Sequence, residues 1–261
     1  MATAVLDGRP VAVTGGGSGV ILVWDLYTGA VLGRLAGHGG AVQAIAVTVV
    51  DGRPMAVSGA DDGTVRIWDL LDRVPRGGPL PGHVREARAV AIAVVDGRPV
   101  VLVGHEDCVA RMRDVRTGER LDRPLRGHTG WVRALATAAP GGRPVAVSAG
   151  RDATVRAWDL GTSEQLGRAF GTGAAVGLGA GWVGPLAIAE AGGRPVVGGG
   201  VPNECTLRTW DLYTGEQRGT APVFPQPVSA LAWEPGAGLV VGFGWELAVL
   251  KPCPWISDSD H

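Results

Sequence analysis

Serine, histidine and aspartate recur together, at matching offsets, in two stretches of the chain. Each set also includes a tryptophan at the same offset, and the two sets are His38, Ser58, Asp62 and Trp68, and His128, Ser148, Asp152 and Trp158. Side chains of these three types can form a hydrolytic triad, in which histidine takes the serine proton and aspartate orients the histidine. Because one active site does not need two copies of its residues, the duplication favours a structural role over nucleophilic catalysis.

Three other groups of residues could bind a cofactor or a metal, and each is a weak match. Residues 179–184 fit the pattern Gly-x-Gly-x-x-Gly, but that motif requires a preceding strand and a following helix, and no helical pattern follows here. His105-Glu106-Asp107 is an isolated turn cluster, which is more typical of solvent-exposed residues than of metal ligands. The three cysteines are far apart and form no Cys-x-x-Cys pair. We therefore predict no enzyme activity, no cofactor and no metal site.

Short motifs recur along the chain with a step of about 45 residues. Asp-Gly-Arg-Pro or Gly-Gly-Arg-Pro begins at Asp7, Asp51, Asp96, Gly141 and Gly192. Trp-Asp-Leu begins at Trp24, Trp68, Trp158 and Trp210, with Arg113-Asp114-Val115 in the corresponding place of the third repeat. Gly-His begins at Gly37, Gly82 and Gly127. Separate motifs that keep one step indicate a repeat architecture.

The second repeat illustrates the secondary structure that we expect for the others. Residues 42–50 are mainly apolar, and Asp51-Gly52 supplies the tight turn that β-hairpins favour. Pro54 stands near the start of the next apolar run, where a missing N–H is tolerated. After a second turn, residues 64–68 are β-branched and aromatic, as strands prefer, and a weaker fourth run follows. Four short strands in about 45 residues predict one blade of an all-β propeller.

These motifs resemble the WD-repeat family of β-propellers and are similar to WD-repeat proteins of high-GC bacteria. The resemblance extends over about residues 7–251 and implies one domain, 1–261, of four-stranded antiparallel blades. Six blades are recognisable, at about residues 1–35, 36–80, 81–125, 126–170, 171–222 and 223–261. The sequence is compatible with six or seven blades and with a closed or an open ring.

In this family, the positions of the two histidine-containing sets form a hydrogen-bonded tetrad within one blade. The resemblance therefore assigns these residues a structural role. The third repeat departs from the pattern, because Val103 and Arg113 stand where the serine and the tryptophan are expected. His83 and Asp107 remain at the other two positions.

The resemblance also implies where a partner would bind. Propellers of this family typically bind partners at the loops entering the innermost strand and at the turn between the second and third strands. The matching residues here are Gln43, Asp61, Glu86, Arg88, Glu106, Trp131, Arg133, Arg151, Trp182 and Asn203. Tryptophan and arginine are enriched at interface hot spots, so we expect blades 3 and 4 to provide the main contact. The alternative is that Trp131 and Trp182 pack over neighbouring blades.

Charge and hydropathy limit the classes of function. The formal net charge is −1, which argues against nucleic-acid binding because that requires a basic excess. Apolar stretches such as residues 89–95 are far too short to span a membrane. The first residues lack the basic and apolar regions of a signal peptide, so we expect a cytoplasmic protein that binds no membrane.

Two functions remain open from the sequence. The first is a non-catalytic scaffold or sensor that binds a protein or peptide, and the mixture of acidic and basic candidate residues favours a mixed-charge partner. The second is a propeller enzyme or small-molecule binder that uses the central channel. The inner strands are mostly alanine, valine, leucine and isoleucine, which favours the first function. An open blade edge would also allow oligomerisation.

Overall fold

The structure is a computed structural model that describes residues 1–80, 86–171, 183–191, 194–234 and 238–250. Within these ranges the chain forms 22 β-strands and two short 3-10 turns, Pro140–Gly142 and Pro202–Glu204. The described ranges contain no helix with the length and apolar character needed to span a membrane. The chain divides into two compact units, Met1–Pro124 and Leu125–His261. The single domain and the blade limits inferred from the sequence stay predictions.

The first unit contains three antiparallel sheets of four strands, and the division between the units falls within the last of these strands. The strands of the first sheet are β1 (Ala2–Leu6), β2 (Arg9–Gly15), β3 (Ile21–Asp25) and β4 (Val31–Leu35). Those of the second are β5 (Val42–Val50), β6 (Arg53–Ala60), β7 (Val65–Asp69) and β8 (Val74–Pro75). Those of the third are β9 (Ala87–Val95), β10 (Arg98–His105), β11 (Val109–Asp114) and β12 (Arg120–Arg126).

The described residues of the second unit form one four-stranded and two three-stranded antiparallel sheets. The strands of the fourth sheet are β13 (Val132–Ala138), β14 (Val145–Gly150), β15 (Thr154–Asp159) and β16 (Gln165–Gly171). Those of the fifth are β17 (Leu186–Ala191), β18 (Arg194–Val201) and β19 (Thr206–Asp211). Those of the sixth are β20 (Val228–Glu234), β21 (Gly238–Phe243) and β22 (Glu246–Leu250).

The Asp-Gly pairs form the tight turns predicted between the first two strands of a blade. Asp51 and Gly52 both have positive φ, at 51° and 76°, and join β5 to β6. A two-residue turn with two left-handed residues matches the twist of the flanking strands, and aspartate and glycine adopt that conformation at the lowest cost. The register follows, because Val50 pairs with Arg53 and each earlier apolar residue then has a fixed partner.

Apolar side chains from neighbouring sheets form the core of each unit. In the first unit, Val57 and Ile67 of the second sheet lie in one cluster with Val101 and Val103 of the third. A second cluster joins the first and second sheets and includes Trp68. In the second unit, separate clusters join the fourth sheet to the fifth and the fifth to the sixth. Sheets that bury apolar faces against successive sheets are the packing expected of propeller blades.

The predicted all-β fold of antiparallel propeller blades is confirmed. The fifth blade differs in detail, because its outer position holds isolated bridges at Gln217 and Val223 instead of a fourth strand. Pro222, Pro225 and Pro227 lie in this stretch, and proline has no N–H to donate to a strand ladder.

Candidate functional site

The structure brings together the four residues of each predicted tetrad. In the second blade, His38 Nε2 lies 2.7 Å from Ser58 Oγ, and Trp68 Nε1 donates to the same Oγ at 2.7 Å. His38 Nδ1 lies 3.2 Å from Asp62 Oδ2. The fourth blade repeats this arrangement with His128, Ser148, Asp152 and Trp158, at distances between 2.8 and 3.1 Å.

The direction of these hydrogen bonds follows from the tryptophan. An indole N–H can only donate, so Ser58 Oγ accepts from Trp68 and its own hydrogen is directed to His38 Nε2. The proton of His38 is then on Nδ1, where Asp62 Oδ2 and Thr64 Oγ1 accept it. With a neutral imidazole, each donor in this series of hydrogen bonds has an acceptor. Thr64 extends the predicted tetrad by one residue.

The surroundings of the tetrad lower the pKa of two of its members. Burial lowers the pKa of His38 below 6.5 and outweighs the opposing effect of Asp62. Burial alone would raise the pKa of Asp62, but the hydroxyl and N–H of Thr64, the N–H of Gly39 and the His38 ring donate hydrogen bonds to its carboxylate. Together they lower the pKa of Asp62 to about 2. The resting state of the tetrad is therefore a neutral histidine beside an ionised aspartate.

Neither serine of the two sets is accessible to a substrate. Ser58 and Ser148 are both 0% exposed, and each accepts a hydrogen bond from a buried tryptophan. A serine nucleophile must reach the carbon that it attacks, which this packing prevents. The hydrogen bonds of these two sets join strands and loops within their blades.

Other blades retain only parts of this arrangement. In the first blade, Trp24 Nε1 donates to Thr14 Oγ1 at 2.7 Å, so a threonine takes the place of the serine. Sequence reasoning missed Thr14, although its offset from Trp24 is the same as that of Ser58 from Trp68. In the third blade, buried Val103 and Arg113 occupy the serine and tryptophan positions. His83 lies outside the described residues.

The aspartate of each Trp-Asp pair, and Asp114 at the same position of the third repeat, organises the turn at the opposite end of its blade. In every case one carboxylate oxygen accepts two backbone N–H groups, from the residues two and three positions later. These buried aspartates are Asp25, Asp69, Asp114, Asp159 and Asp211. Arg9, Arg53 and Arg143 of the repeated Arg-Pro turns pair with the aspartates of their own blades. These three arginines therefore serve turn geometry.

Four of the six sheets carry a β-bulge at the same place, near the start of the first strand. The strand register skips one residue there, and the extra residues are Gln43, Arg88, Arg133 and Ser229. A bulge redirects the side chain of its extra residue and is common beside binding sites. Three of these four are predicted partner-binding residues. Ser229 was missed, although Val228-Ser229-Ala230 repeats the spacing of Val42-Gln43-Ala44.

In the first unit, five predicted partner-binding residues form one charged network. Arg88 Nη1 donates to Asp61 Oδ1 at 2.9 Å, and its Nη2 and Nε donate to Glu106 Oε1 at 2.9 and 3.0 Å. Arg88 also pairs with Glu86, and Gln43 Nε2 donates to Asp61 Oδ2 at 2.8 Å. Three carboxylates around one guanidinium leave this network with an excess of negative charge. We call these five residues the Arg88 network.

In the second unit, Trp131 and Arg151 lie against each other. The guanidinium carbon of Arg151 is 4.8 Å from the centroid of the Trp131 ring, a cation–π distance. Arg151 is exposed, and Trp131 and the bulge residue Arg133 are half-buried. Asn203 is exposed in the 3-10 turn after β18, and Trp182 lies outside the described residues.

The described residues contain no group of three or more histidine, cysteine, aspartate or glutamate side chains that could hold a metal ion. In the cluster considered from the sequence, Glu106 pairs with Arg88 and Asp107 pairs with Arg111. His105 is buried at the end of β10.

Comparisons with known proteins agree with this geometry. The family model described as WD domain, G-beta repeat matches residues 29–69 and 119–159, and each match ends at a Trp-Asp aspartate. The crystal structure of the computationally designed Ika8 protein is similar, with a TM-score of 0.69 and 27% sequence identity over 96% of this chain and 70% of that one. A comparison with curated proteins finds no match. The two matched repeats, together with the blade-like sheets, support the WD-repeat β-propeller that the sequence predicted.

Proposed function

We propose that this chain is a non-catalytic scaffold or sensor that binds a protein or peptide partner at the bulged ends of its blades. WD-repeat propellers commonly mediate protein interactions and are typically non-catalytic. The observation that carries the proposal is the recurrence of a bulge at Gln43, Arg88 and Arg133, which presents a polar side chain at the same end of three blades.

The Arg88 network would recognise a basic segment of the partner. Asp61, Glu86 and Glu106 are already oriented by Arg88, so their remaining lone pairs can accept hydrogen bonds without the entropic cost of ordering free side chains. Opposite charge also accelerates encounter and selects the partner.

The Trp131–Arg151 pair would contact aromatic, apolar or acidic side chains. A half-buried indole held by an arginine provides a rigid contact surface, and both residue types are frequent hot spots. Arg133 adds a second basic group in the same blade. Taken separately, the first surface would select basic side chains and the second would select aromatic, apolar or acidic ones, so the proposed partner has mixed charge.

The proposal is tested by affinity capture with mass spectrometry, followed by binding measurements with the purified partner. In Trp131→Ala/Arg133→Ala, we expect the Kd to increase at least about tenfold. Loss of a hot-spot residue costs about 2 kcal/mol or more of binding free energy. Gln43→Ala/Glu86→Gln examines the first unit in the same way. Arg98→Ala and Arg168→Ala are the controls, because both arginines are exposed and lie away from the bulges.

Three results would argue against the proposal. If partner affinity is unchanged in both double variants, the bulged ends do not bind the partner. If Trp131→Ala/Arg133→Ala lowers the thermal midpoint strongly, Trp131 serves packing. A large thermal shift with a metabolite, without any protein partner, would favour the alternative of a small-molecule binder or enzyme.

A further inference from the structure

A cavity of about 640 Å³ opens between the outer strands of the second and third blades. Its floor is apolar and includes Ile67, Leu80 and Val115. Its walls come from the segment after β8 and from the turn between β11 and β12. The volume lies within the range of small-ligand sites.

This cavity lies where the third repeat departs from its family. Arg113 pairs with Val101 in the strand register, just as Trp68 pairs with Ala56 and Trp158 with Ala146. An arginine therefore occupies the place of the buried tryptophan, and it is only 4% exposed. Its Nη1 donates to the carbonyl of Gly118 at 2.9 Å, inside the turn that lines the cavity.

The lining has a strong excess of positive charge. Among the described residues that line it are four arginines, Arg76, Arg113, Arg116 and Arg120, and one acidic side chain, Glu119. Arg116 also pairs with Asp51 of the neighbouring blade at 2.8 Å, which holds the two blades' turns together at one edge. Arg76 and Arg120 are exposed.

The charges in the lining act on one another. Burial lowers the pKa of Arg113, and the nearby cations Arg120 and Arg111 lower it further. A bound anion would reduce this repulsion, and it would gain charge-assisted hydrogen bonds from groups whose fork geometry suits phosphate oxygens.

We propose that this cavity binds a phosphate monoester, with the phosphate among the arginines and an apolar part of the ligand over Ile67, Leu80 and Val115. A phosphate monoester carries nearly two negative charges at neutral pH and three acceptor oxygens, which several arginines can share. The group is found on small metabolites and on phosphorylated side chains. The lining of this cavity includes none of the bulge residues, so this proposal does not depend on the proposed partner binding.

The test is isothermal titration calorimetry of the full chain with four probes at constant ionic strength. The probes are inorganic phosphate, adenosine monophosphate, and one capped serine peptide in phosphorylated and unphosphorylated forms. We expect saturable binding of at least one phosphomonoester and none of the unphosphorylated peptide. Binding of the nucleotide alone would identify a metabolite as the source of the phosphate, and binding of the phosphopeptide alone would identify a modified side chain.

Variants assign the binding to the cavity. Arg76→Gln/Arg120→Gln replaces two exposed cations and should weaken the Kd at least about tenfold. Arg34→Gln, on the equivalent strand β4 of the first blade, should change it less than about twofold. Val103→Ser/Arg113→Trp restores the residues found in the second and fourth blades and should abolish binding while keeping the cooperative unfolding transition. The proposal is overturned if no phosphomonoester shows saturable binding, or if the Kd of the Arg76→Gln/Arg120→Gln variant equals that of the parent.

Discussion

Arg53 and Asp69 join the two most frequent motifs of the chain at one end of the second blade. Arg53 Nε donates to Asp69 Oδ2 at 2.7 Å, while Asp69 Oδ1 accepts the N–H groups of Leu71 and Asp72 at 3.0 Å. Arg53 belongs to an Asp-Gly-Arg-Pro turn and Asp69 to a Trp-Asp pair, and the two residues are neighbours because β6 and β7 pair. The two motifs therefore recur with the same step because they contact each other within one blade.

Removal of the aspartate should destabilise the protein more than removal of the arginine. Asp69 is buried, and Asp69→Ala leaves two turn N–H groups without their acceptor, which should reduce the free energy of unfolding by about 2 kcal/mol. Arg53 is partly exposed, so Arg53→Gln should cost clearly less. Urea denaturation followed by circular dichroism measures both.

Asp69→Asn is the matched control for this pair. Its amide oxygen can still accept both N–H groups, so its loss of stability should lie between those of Arg53→Gln and Asp69→Ala. An equal loss in Asp69→Asn and Asp69→Ala would show that the charge, and not the turn, is the main contribution.

The serine at the centre of a tetrad should matter for stability. Ser58→Ala leaves the buried Trp68 Nε1–H without an acceptor and His38 Nε2 without a donor, which should cost about 1–3 kcal/mol. Thr14→Val removes the acceptor of the Trp24 Nε1–H, but Trp24 is half-buried and water can replace part of the bond. Its cost should therefore be smaller.

Thermal unfolding of the two variants, measured side by side, decides this point. A Ser58→Ala protein that is as stable as the parent would contradict the structural role of the tetrad. Val103 provides an internal comparison, because the third blade has an apolar residue at this position and no tryptophan that needs an acceptor.

The tetrad should make folding sensitive to acid. The pKa of His38 is lower in the folded chain than 6.5, so below pH 6.5 the unfolded chain binds the extra proton first and stability falls as the pH decreases. Asp62 acts in the same direction at lower pH, because its stabilising charge is lost as the pH falls from 3.8 towards about 2. We expect lower free energies of unfolding at pH 5.5 than at pH 7.5, and a further decrease below pH 4.

His38→Gln removes the first of these contributions and Asp62→Asn the second. The free energy of unfolding of His38→Gln should therefore change less between pH 7.5 and 5.5 than that of the parent. Parallel pH profiles for the parent and His38→Gln would show that another group causes the loss.

The sequence predicted most of the fold because each repeat contains the residues that form its own turns. Asp51-Gly52 determines one hairpin and the Trp68-Asp69 pair ends the third strand, so the strand order within a blade needed no long-range information. The histidine, serine, aspartate and tryptophan of each tetrad were also identifiable, because their offsets repeat. The missing fourth strand of the fifth blade was not predicted, although the prolines that weaken it are visible.

The candidate site was less predictable than the fold. The offsets indicated Gln43, Arg88 and Arg133 but not that each is the extra residue of a bulge, because a bulge is a property of two paired strands. The contact of Arg88 with Asp61 joins residues of different blades, and periodicity within a blade carries no information on it. The cavity beside Arg113 likewise depends on how two sheets pack.

The second glycine of each Gly-His-x-Gly loop should not tolerate a side chain. A Cβ added at Gly130 would lie 2.6 Å from the backbone nitrogen of Asp152 and 2.8 Å from the backbone carbon of Arg151. Backbone atoms cannot move aside as a side-chain end can, so Gly130→Ala should displace the loop that holds His128. We expect a loss of about 1–3 kcal/mol, typical of overpacking, measured by urea denaturation.

Gly16→Ala is the matched control, because nothing lies within 4 Å of a Cβ at Gly16 and its φ is not in the left-handed region. It should be close to neutral. Gly40→Ala, in the second blade, should resemble Gly130→Ala, since its Cβ would lie 2.8 Å from the nitrogen of Asp62. If Gly130→Ala and Gly16→Ala are equally stable, the loop is not held against the aspartate turn. The tetrad would then owe its geometry to the side-chain hydrogen bonds alone.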